Sequence, residues 1–142
     1  MVGTEFINGQ GLGNQLFCYV TARVVAEENG YECGTGGQER FAVNIHSDRG
    51  MYFMDMDLGK RIAEEEKRRF QIYNDKEERL YIGNSRHDMV HGCYIAGADQ
   101  NLKNISDNTL IYGNMQDESY FIDHLDQVKQ WLHVKPEYDS YE

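Results

Sequence analysis

The sequence is poor in residues on which several common kinds of site depend. It contains three cysteines and a single proline in 142 residues. Cys18, Cys33 and Cys93 are odd in number and lack Cys-x-x-Cys spacing, which argues against a disulfide framework and against a zinc site. The cysteine pattern therefore favours a reducing compartment.

Basic residues are scarce relative to acidic ones. There are 14 Lys and Arg against 24 Asp and Glu, for a formal net charge of −10. A protein that binds nucleic acid or an anionic membrane normally carries a basic face. The basic run Lys67–Arg69 directly follows the acidic run Glu64–Glu66, so the two cancel locally. We expect no nucleic-acid partner, while a small basic pocket for a phosphorylated ligand stays open.

Long apolar runs are also missing. No segment approaches the roughly 18 consecutive apolar residues of a membrane-spanning helix, and the N-terminus lacks the basic-then-apolar pattern of a signal peptide. The chain as given is therefore expected to carry no membrane anchor and no secretion signal. Hydrophobic residues make up 40% of the sequence and aromatic residues 12%. This content is sufficient for one folded domain with its own core.

Apolar periodicity predicts one helix near each end of the chain. The first runs from about Asn14 to Asn29, with Leu16, Val20 and Val24 on one face. Asn14 is expected to cap its start, and Gly30 is expected to end it in the left-handed conformation. The second helix is predicted from Asp117 to Leu132.

Shorter apolar runs bounded by turn residues predict strands. They cover Thr4–Gly9, Arg40–Ile45, Arg79–Gly83, Gly92–Gly97 and Asn108–Asn114. The glycine-rich stretch Cys33–Gln38 is predicted to be a loop, and Lys60–Phe70 a polar helix. The order of strand, glycine-rich turn, helix, later strands and helix predicts an α/β, Rossmann-like domain with a mainly parallel sheet.

Three glycines, Gly9, Gly11 and Gly13, stand between the first predicted strand and the first helix. Glycines let a backbone approach a ligand closely, and the N–H groups of a first helical turn attract anions. The spacing is neither Gly-x-Gly-x-x-Gly nor the P-loop pattern, and no lysine follows. Spacing alone therefore leaves both a phosphate-binding loop and a plain tight turn open.

The residues around this loop carry a more specific pattern, and a second pattern follows about 100 residues later. The first comprises Gly11, Gly13, Asn14, Gln15, Leu16, Phe17, Tyr19, Ala22 and Arg23. The second, within "LIYGNMQDESYF", comprises Gly113, Gln116, Glu118, Tyr120 and Phe121. Together they resemble the N-terminal half of the alpha-1,2-fucosyltransferase family, a glycosyltransferase family 11-like group. Asp117 and Ser119 depart from the family pattern, and Thr35–Lys76 matches it poorly.

The resemblance implies an enzyme that transfers fucose from GDP-fucose to a sugar hydroxyl with inversion. It implies the N-terminal half of a GT-B architecture, with residues 1–132 as this Rossmann-like domain and 133–142 as the start of a linker toward a C-terminal donor-binding domain. The implied partners are a nucleotide-sugar donor and a glycan acceptor, with no metal and no further cofactor. The turn that touches the donor's diphosphate in related enzymes corresponds to Gly11, Leu12, Gly13 and Asn14.

The sequence lacks a third family motif, His-x-Arg-x-Gly-Asp. Arg86 and His87 stand side by side, but no Arg-x-Gly-Asp follows them. We therefore expect the chain to be an N-terminal part that cannot complete catalysis alone, and its catalytic residues stay unassigned. One alternative is a truncated, non-catalytic sugar- or nucleotide-binding module. Another is an unrelated nucleotide-binding domain with a convergent loop. The resemblance implies a cytoplasmic or peripheral membrane protein if bacterial or viral, and a Golgi protein only if an anchor lies outside this chain.

Other combinations of residues are expected to be structural. Asp55 and Asp57 mimic a metal-binding Asp-x-Asp but are typical of a solvated loop in so acidic a chain. His87 and His91 have the spacing of a helical zinc pair, yet surface positions suit them better. His124 is expected at the boundary of the second helix.

Overall fold

The computed structural model describes residues 1–41, 56–75, 78–81, 94–97, 99–113, 115 and 117–133. The helices and strands are β1 Val2–Glu5, α1 Leu12–Asn29, β2 Cys33–Gly36, β3 Lys60–Ile62, β4 Gln71–Asn74, β5 Glu78–Tyr81, β6 Tyr94–Gly97, β7 Thr109–Tyr112 and α2 Leu125–Trp131. Short 3-10 turns cover Gln38–Arg40, Glu64–Arg69, Gln100–Asn104, Glu118–Tyr120 and Ile122–His124.

Five strands form one parallel sheet in the order β3-β2-β1-β7-β4. The prediction of an α/β fold with a mainly parallel sheet is thereby confirmed. The order departs from the 3-2-1-4-5-6 of dinucleotide-binding folds, because β7 is inserted between β1 and the edge strand β4. β5 and β6 form a separate antiparallel pair.

Helix α1 begins two residues earlier than predicted. Gly11 is its N-cap, with φ −68° and ψ 155°, and no side chain caps the helix. The predicted capping role of Asn14 is therefore wrong, because Asn14 already lies inside the first turn. The C-terminal prediction is confirmed, since Gly30 has φ 72° and its N–H donates to the carbonyls of Ala26 and Glu27.

The predicted loop at Cys33–Gln38 is wrong, because its first four residues are strand β2. Glycine is needed here for close packing and not for a turn. A Cβ on Gly34 would lie 2.9 Å from the Lys60 carbonyl oxygen, and a Cβ on Gly3 would lie 2.1 Å from the Gly34 carbonyl oxygen. The small residues let β1, β2 and β3 approach one another.

The polar helix predicted at Lys60–Phe70 is also wrong. This stretch is β3 followed by a 3-10 turn at Glu64–Arg69. The tighter turn brings residues three apart together, so Glu64 pairs with Lys67 at 2.8 Å instead of with Arg68. Strand β4, which follows directly, was not predicted.

Toward the C-terminus the predictions are closer. β7 lies inside the predicted Asn108–Asn114, and β5 and β6 overlap their predicted runs. The helix predicted at Asp117–Leu132 resolves into two 3-10 turns and the shorter α2. Asp117 caps the first of these turns, where its carboxylate accepts the Ser119 N–H at 2.8 Å.

The first strand, predicted at Thr4–Gly9, ends at Glu5. Of the predicted Arg40–Ile45 strand, Arg40 lies in a 3-10 turn and residues 42–45 lie outside the described residues.

The core lies between α1 and the sheet and continues under α2. One buried cluster contains Val2, Cys18, Val25, Ala26, Leu102, Ile105, Ile111, Met115 and Tyr120. The other contains Phe6, Tyr19, Val20, Val24, Phe41, Leu58 and Val128. In the part of the chain that the structure describes, no helix combines the length and apolar character needed to cross a membrane.

Candidate functional site

The glycine-rich loop lies at the carboxyl end of β1, where it leads directly into α1. Gly9 has φ 80°, a conformation that favours glycine. The loop closes on itself through a hydrogen bond from the Gln10 N–H to the Ile7 carbonyl at 3.2 Å, and the Ile7 N–H donates to the Gln10 side chain at 3.3 Å. In parallel α/β sheets, ligands bind at this carboxyl edge.

Gly11 and Gly13 face open space. A Cβ built on either would meet no described atom within 4 Å, and neither has a positive φ. Neither packing nor backbone conformation therefore explains why these positions are glycine. The first helical turn starts here and carries no acidic residue, so the positive end of the helix dipole is not neutralised from within the turn. Such a turn can accept an anion at Leu12 and Gly13.

The second sequence pattern lies beside this loop, because β7 pairs with β1 in the sheet. The Cys18 thiol donates to the Gly113 carbonyl at 3.1 Å, and the Phe17 and Phe121 ring centroids are 5.9 Å apart. Gly13, Phe17 and Phe121 also line one apolar groove of about 230 Å³. The structure thus brings together two patterns that are about 100 residues apart in the sequence.

Three other residues of the first pattern have identifiable structural contacts. Gln15 is fully buried, and its Nε2 donates to the Arg40 carbonyl at 2.9 Å. Tyr19 is fully buried and donates to the Asp57 carbonyl. Arg23 donates to the Tyr19 hydroxyl at 2.6 Å and stacks 4.1 Å from the Trp131 ring centroid. These residues hold neighbouring segments onto α1.

A carboxylate and a lysine meet at the same edge of the sheet. Glu5, the last residue of β1, is 11% exposed and forms an ion pair with Lys67. Hydrogen bonds to Glu5 and to Glu64 raise the pKa of the Lys67 ammonium. The Tyr112 hydroxyl lies 3.4 Å from the second Glu5 oxygen, and burial, followed by the Glu5 charge, raises the pKa of this phenol. The charge of Lys67 is therefore already paired with carboxylates of the protein.

Arg40 reaches the beginning of the glycine loop from the segment that follows β2. Its Nη1 donates to the Phe6 carbonyl at 3.1 Å. Beside it lies a cleft of about 320 Å³ over the carboxyl ends of β2 and β3, lined in part by Gly37, Glu39 and Glu64. Nothing in the sequence alone marks Arg40, Glu5 and Lys67 as residues of this edge. Recognising β2 would have placed Arg40 just beyond the carboxyl end of a strand.

Tyr120, in the second pattern, belongs to a buried polar network. Its hydroxyl donates to Asp75 at 2.7 Å and accepts the Asp99 N–H, while the Tyr73 hydroxyl donates to the Asp99 carboxylate at 2.6 Å. Burial, more than any other cause, raises the pKa of both phenols. The network joins β4 to the stretch after β7.

The remaining candidates from the sequence either make a structural contact or lie outside the described residues. Asp57 accepts the Gly59 N–H at 2.9 Å and so stabilises a turn. Among the described residues, no group of three or more His, Cys, Asp or Glu side chains is placed to hold a metal ion. Asp55, Arg86, His87, His91, Cys93, Gln116 and residues 134–142 lie outside the described residues.

The architecture places the chain in the class of α/β proteins with a parallel sheet and a glycine-rich strand-to-helix loop. No family model, no curated protein and no solved structure matches the chain. The resemblance to alpha-1,2-fucosyltransferases therefore stays a prediction, which depends on the two sequence patterns and their placement.

Proposed function

We propose that this chain is the N-terminal, half-cleft part of a GDP-fucose-dependent, alpha-1,2-fucosyltransferase-like enzyme of GT-B architecture. The complete enzyme transfers fucose from GDP-fucose to a sugar hydroxyl with inversion. In this proposal Gly11, Leu12, Gly13 and Asn14 contact the donor's diphosphate. The carbohydrate acceptor and the nucleotide sugar are its two ligands.

One observation carries the proposal. The two stretches that resemble the family meet at the carboxyl edge of β1 and β7, through the contact of Cys18 with Gly113 and that of Phe17 with Phe121. Gly11 and Gly13 leave open space at that edge. Neighbouring motifs beside an accessible first helical turn are the arrangement expected of a diphosphate site.

The chemistry follows from the charges that change during transfer. The acceptor hydroxyl attacks the anomeric carbon, a carboxylate takes its proton, and GDP leaves with the electrons of the broken bond. Donors already placed at the diphosphate stabilise the charge that develops on the leaving group. Glu5 is a carboxylate at this edge, but Lys67 and Tyr112 hold it, so the base stays unassigned.

A second candidate is a non-catalytic nucleotide- or sugar-binding module. The ion pair between Glu5 and Lys67 favours it, because a carboxylate held in this way is not ready to accept a proton from an acceptor. Donor-dependent fucose transfer by the purified chain would contradict this candidate. It would also contradict our expectation that the chain alone is inactive.

Calorimetric titration of the purified chain with GDP and with NAD tests the proposal. We expect a saturable GDP response and a much weaker response to NAD, because the loop lacks the dinucleotide spacing. ADP is the matched control for the guanine base. Tight NAD binding with no response to GDP would refute the fucosyltransferase interpretation and favour a convergent dinucleotide-binding domain.

A further inference from the structure

Arg40 is fixed at the entrance to the glycine loop by contacts on both sides of its segment. The Phe6 N–H donates to the Gly36 carbonyl at 3.0 Å, and the Phe6 and Phe41 ring centroids are 5.0 Å apart. Gly37 lies so close that a Cβ there would approach the Phe6 carbonyl oxygen to 2.5 Å. The residues after β2 are therefore packed directly onto Phe6, which follows β1 and leads into the glycine loop.

The Arg40 guanidinium keeps most of its hydrogen-bonding capacity. It has five N–H donors, and its one hydrogen bond in the described structure goes to the Phe6 carbonyl. Glu39 and Glu64 form ion pairs with the guanidinium at 3.9 Å and 4.0 Å, distances that are beyond hydrogen-bond range, and both carboxylates are more than half exposed. Lys67, by contrast, forms short ion pairs with both Glu5 and Glu64.

Gln15 determines where the Arg40 backbone lies. Its side chain is fully buried in α1, one turn below the glycine loop, and donates to the Arg40 carbonyl at 2.9 Å. A buried amide is expensive unless its hydrogen bonds are made. This contact therefore couples the first turns of α1 to the arginine.

We propose that Arg40 is the cation that binds the diphosphate of a nucleotide at the glycine loop, with Gln15 as the residue that positions it. The inference depends on the proposed function only in placing a diphosphate-bearing ligand at this loop. A guanidinium offers paired donors that match phosphate oxygens. It also supplies local positive charge in a chain whose net charge is −10.

The first test measures binding of inorganic pyrophosphate, GDP and ADP by calorimetry to the wild-type chain and to Arg40→Gln. Loss of one charge-assisted contact should weaken binding of each ligand that the wild type binds by about tenfold or more. The affinity of Arg40→Lys should fall between those of wild type and Arg40→Gln, because lysine keeps the charge but loses the paired N–H donors of the guanidinium. Arg68→Gln is the matched control, since Arg68 is exposed, and its binding should stay within about twofold of wild type.

A second test examines Gln15 through a double-mutant cycle. Gln15→Met should weaken pyrophosphate binding, and adding Arg40→Gln should weaken it no further than Arg40→Gln alone. A merely structural role would give additive losses. Thermal unfolding of each variant verifies that the fold persists, and Arg40→Lys provides the measurement if Arg40→Gln does not fold.

The outcomes separate this inference from the proposed function. GDP binding that is unchanged in Arg40→Gln overturns the role of Arg40 and leaves the fucosyltransferase proposal standing. Equal binding of pyrophosphate, ADP and GDP, lost in Arg40→Gln, supports Arg40 and leaves recognition of the guanine base to the proposed C-terminal domain. No binding of any diphosphate overturns both.

Discussion

Glycine serves two opposite purposes in the two motifs. At Gly13 the surrounding space is open, and the backbone conformation suits any residue. At Gly113 the φ is 137° and a Cβ would lie 2.6 Å from the Asp75 Cβ, so both conformation and packing require glycine. One glycine is therefore open to a ligand, and the other is needed by the fold.

Substituting alanine at these two positions should separate binding from stability. Gly13→Ala should leave the free energy of unfolding unchanged or raise it by up to about 1 kcal/mol, because alanine favours helix, while it weakens GDP binding. Gly113→Ala should lower the free energy of unfolding by about 2 kcal/mol or more through backbone strain. Urea denaturation measures both, and a large loss of stability in Gly13→Ala would show that its glycine is structural.

Only the part of the site whose residues are contiguous could be predicted from the sequence. The glycine loop was visible in the sequence because its residues are contiguous. Arg40, Glu5 and Lys67 were not, because they come from separate parts of the chain and meet only once the strands are paired. The position of Asn14 near the start of the apolar stripe predicts a cap, but Gly11 is the N-cap residue of α1.

At the scale of elements, predictions succeeded where a local pattern determines the structure. The periodic stripe of α1 and the apolar run of β7 are such patterns. They failed at β2, whose glycines resemble a turn but serve close approach between strands. They also failed at residues 60–70, where the charges spaced for a helix lie in a 3-10 turn that follows β3. Strand pairing, which decides these cases, is not a local property.

Helix α2 is held against α1 partly by a histidine that titrates. His124 Nε2 lies 2.9 Å from a Glu28 carboxylate oxygen, and His124 Nδ1 lies 3.1 Å from the Gln127 side-chain oxygen. The hydrogen bond to Glu28 is the main cause that raises the pKa of His124. The cleft around it, formed by both elements, is also lined by Glu27, Asp123 and Asp126, and the charge of Glu27 further raises the pKa of His124.

This contact predicts a stability difference that depends on pH. A raised folded-state pKa contributes stability that is fully present below the unfolded value of about 6.5 and is lost as pH rises through the folded value. Wild type should therefore be more stable than His124→Gln at pH 5.5, with the advantage shrinking by pH 8.5. Thermal unfolding across this range tests it, with Glu28→Gln as the partner control. An advantage that does not change with pH would contradict the assignment.

At the scale of the whole molecule, the parallel sheet explains how distant motifs form one edge. β1 and β7 are neighbours and parallel, so the segments that follow them emerge side by side. The net charge of −10 opposes anions in general. In the proposed function, a diphosphate overcomes this repulsion where donors are locally concentrated, at the first turn of α1 together with Arg40.

In the proposed function, the glycine loop and the stretch after β7 form one diphosphate-binding edge. Titrating the ¹⁵N-labelled chain with GDP and following backbone amides by NMR tests this most directly. We predict saturable shifts at Leu12, Gly13, Asn14 and Gly113, with one common affinity. The amide resonance of Gly59, which directly precedes β3 and so lies at the amino end of the parallel strands, should not shift. GDP-induced shifts that leave the glycine loop unchanged would contradict the account.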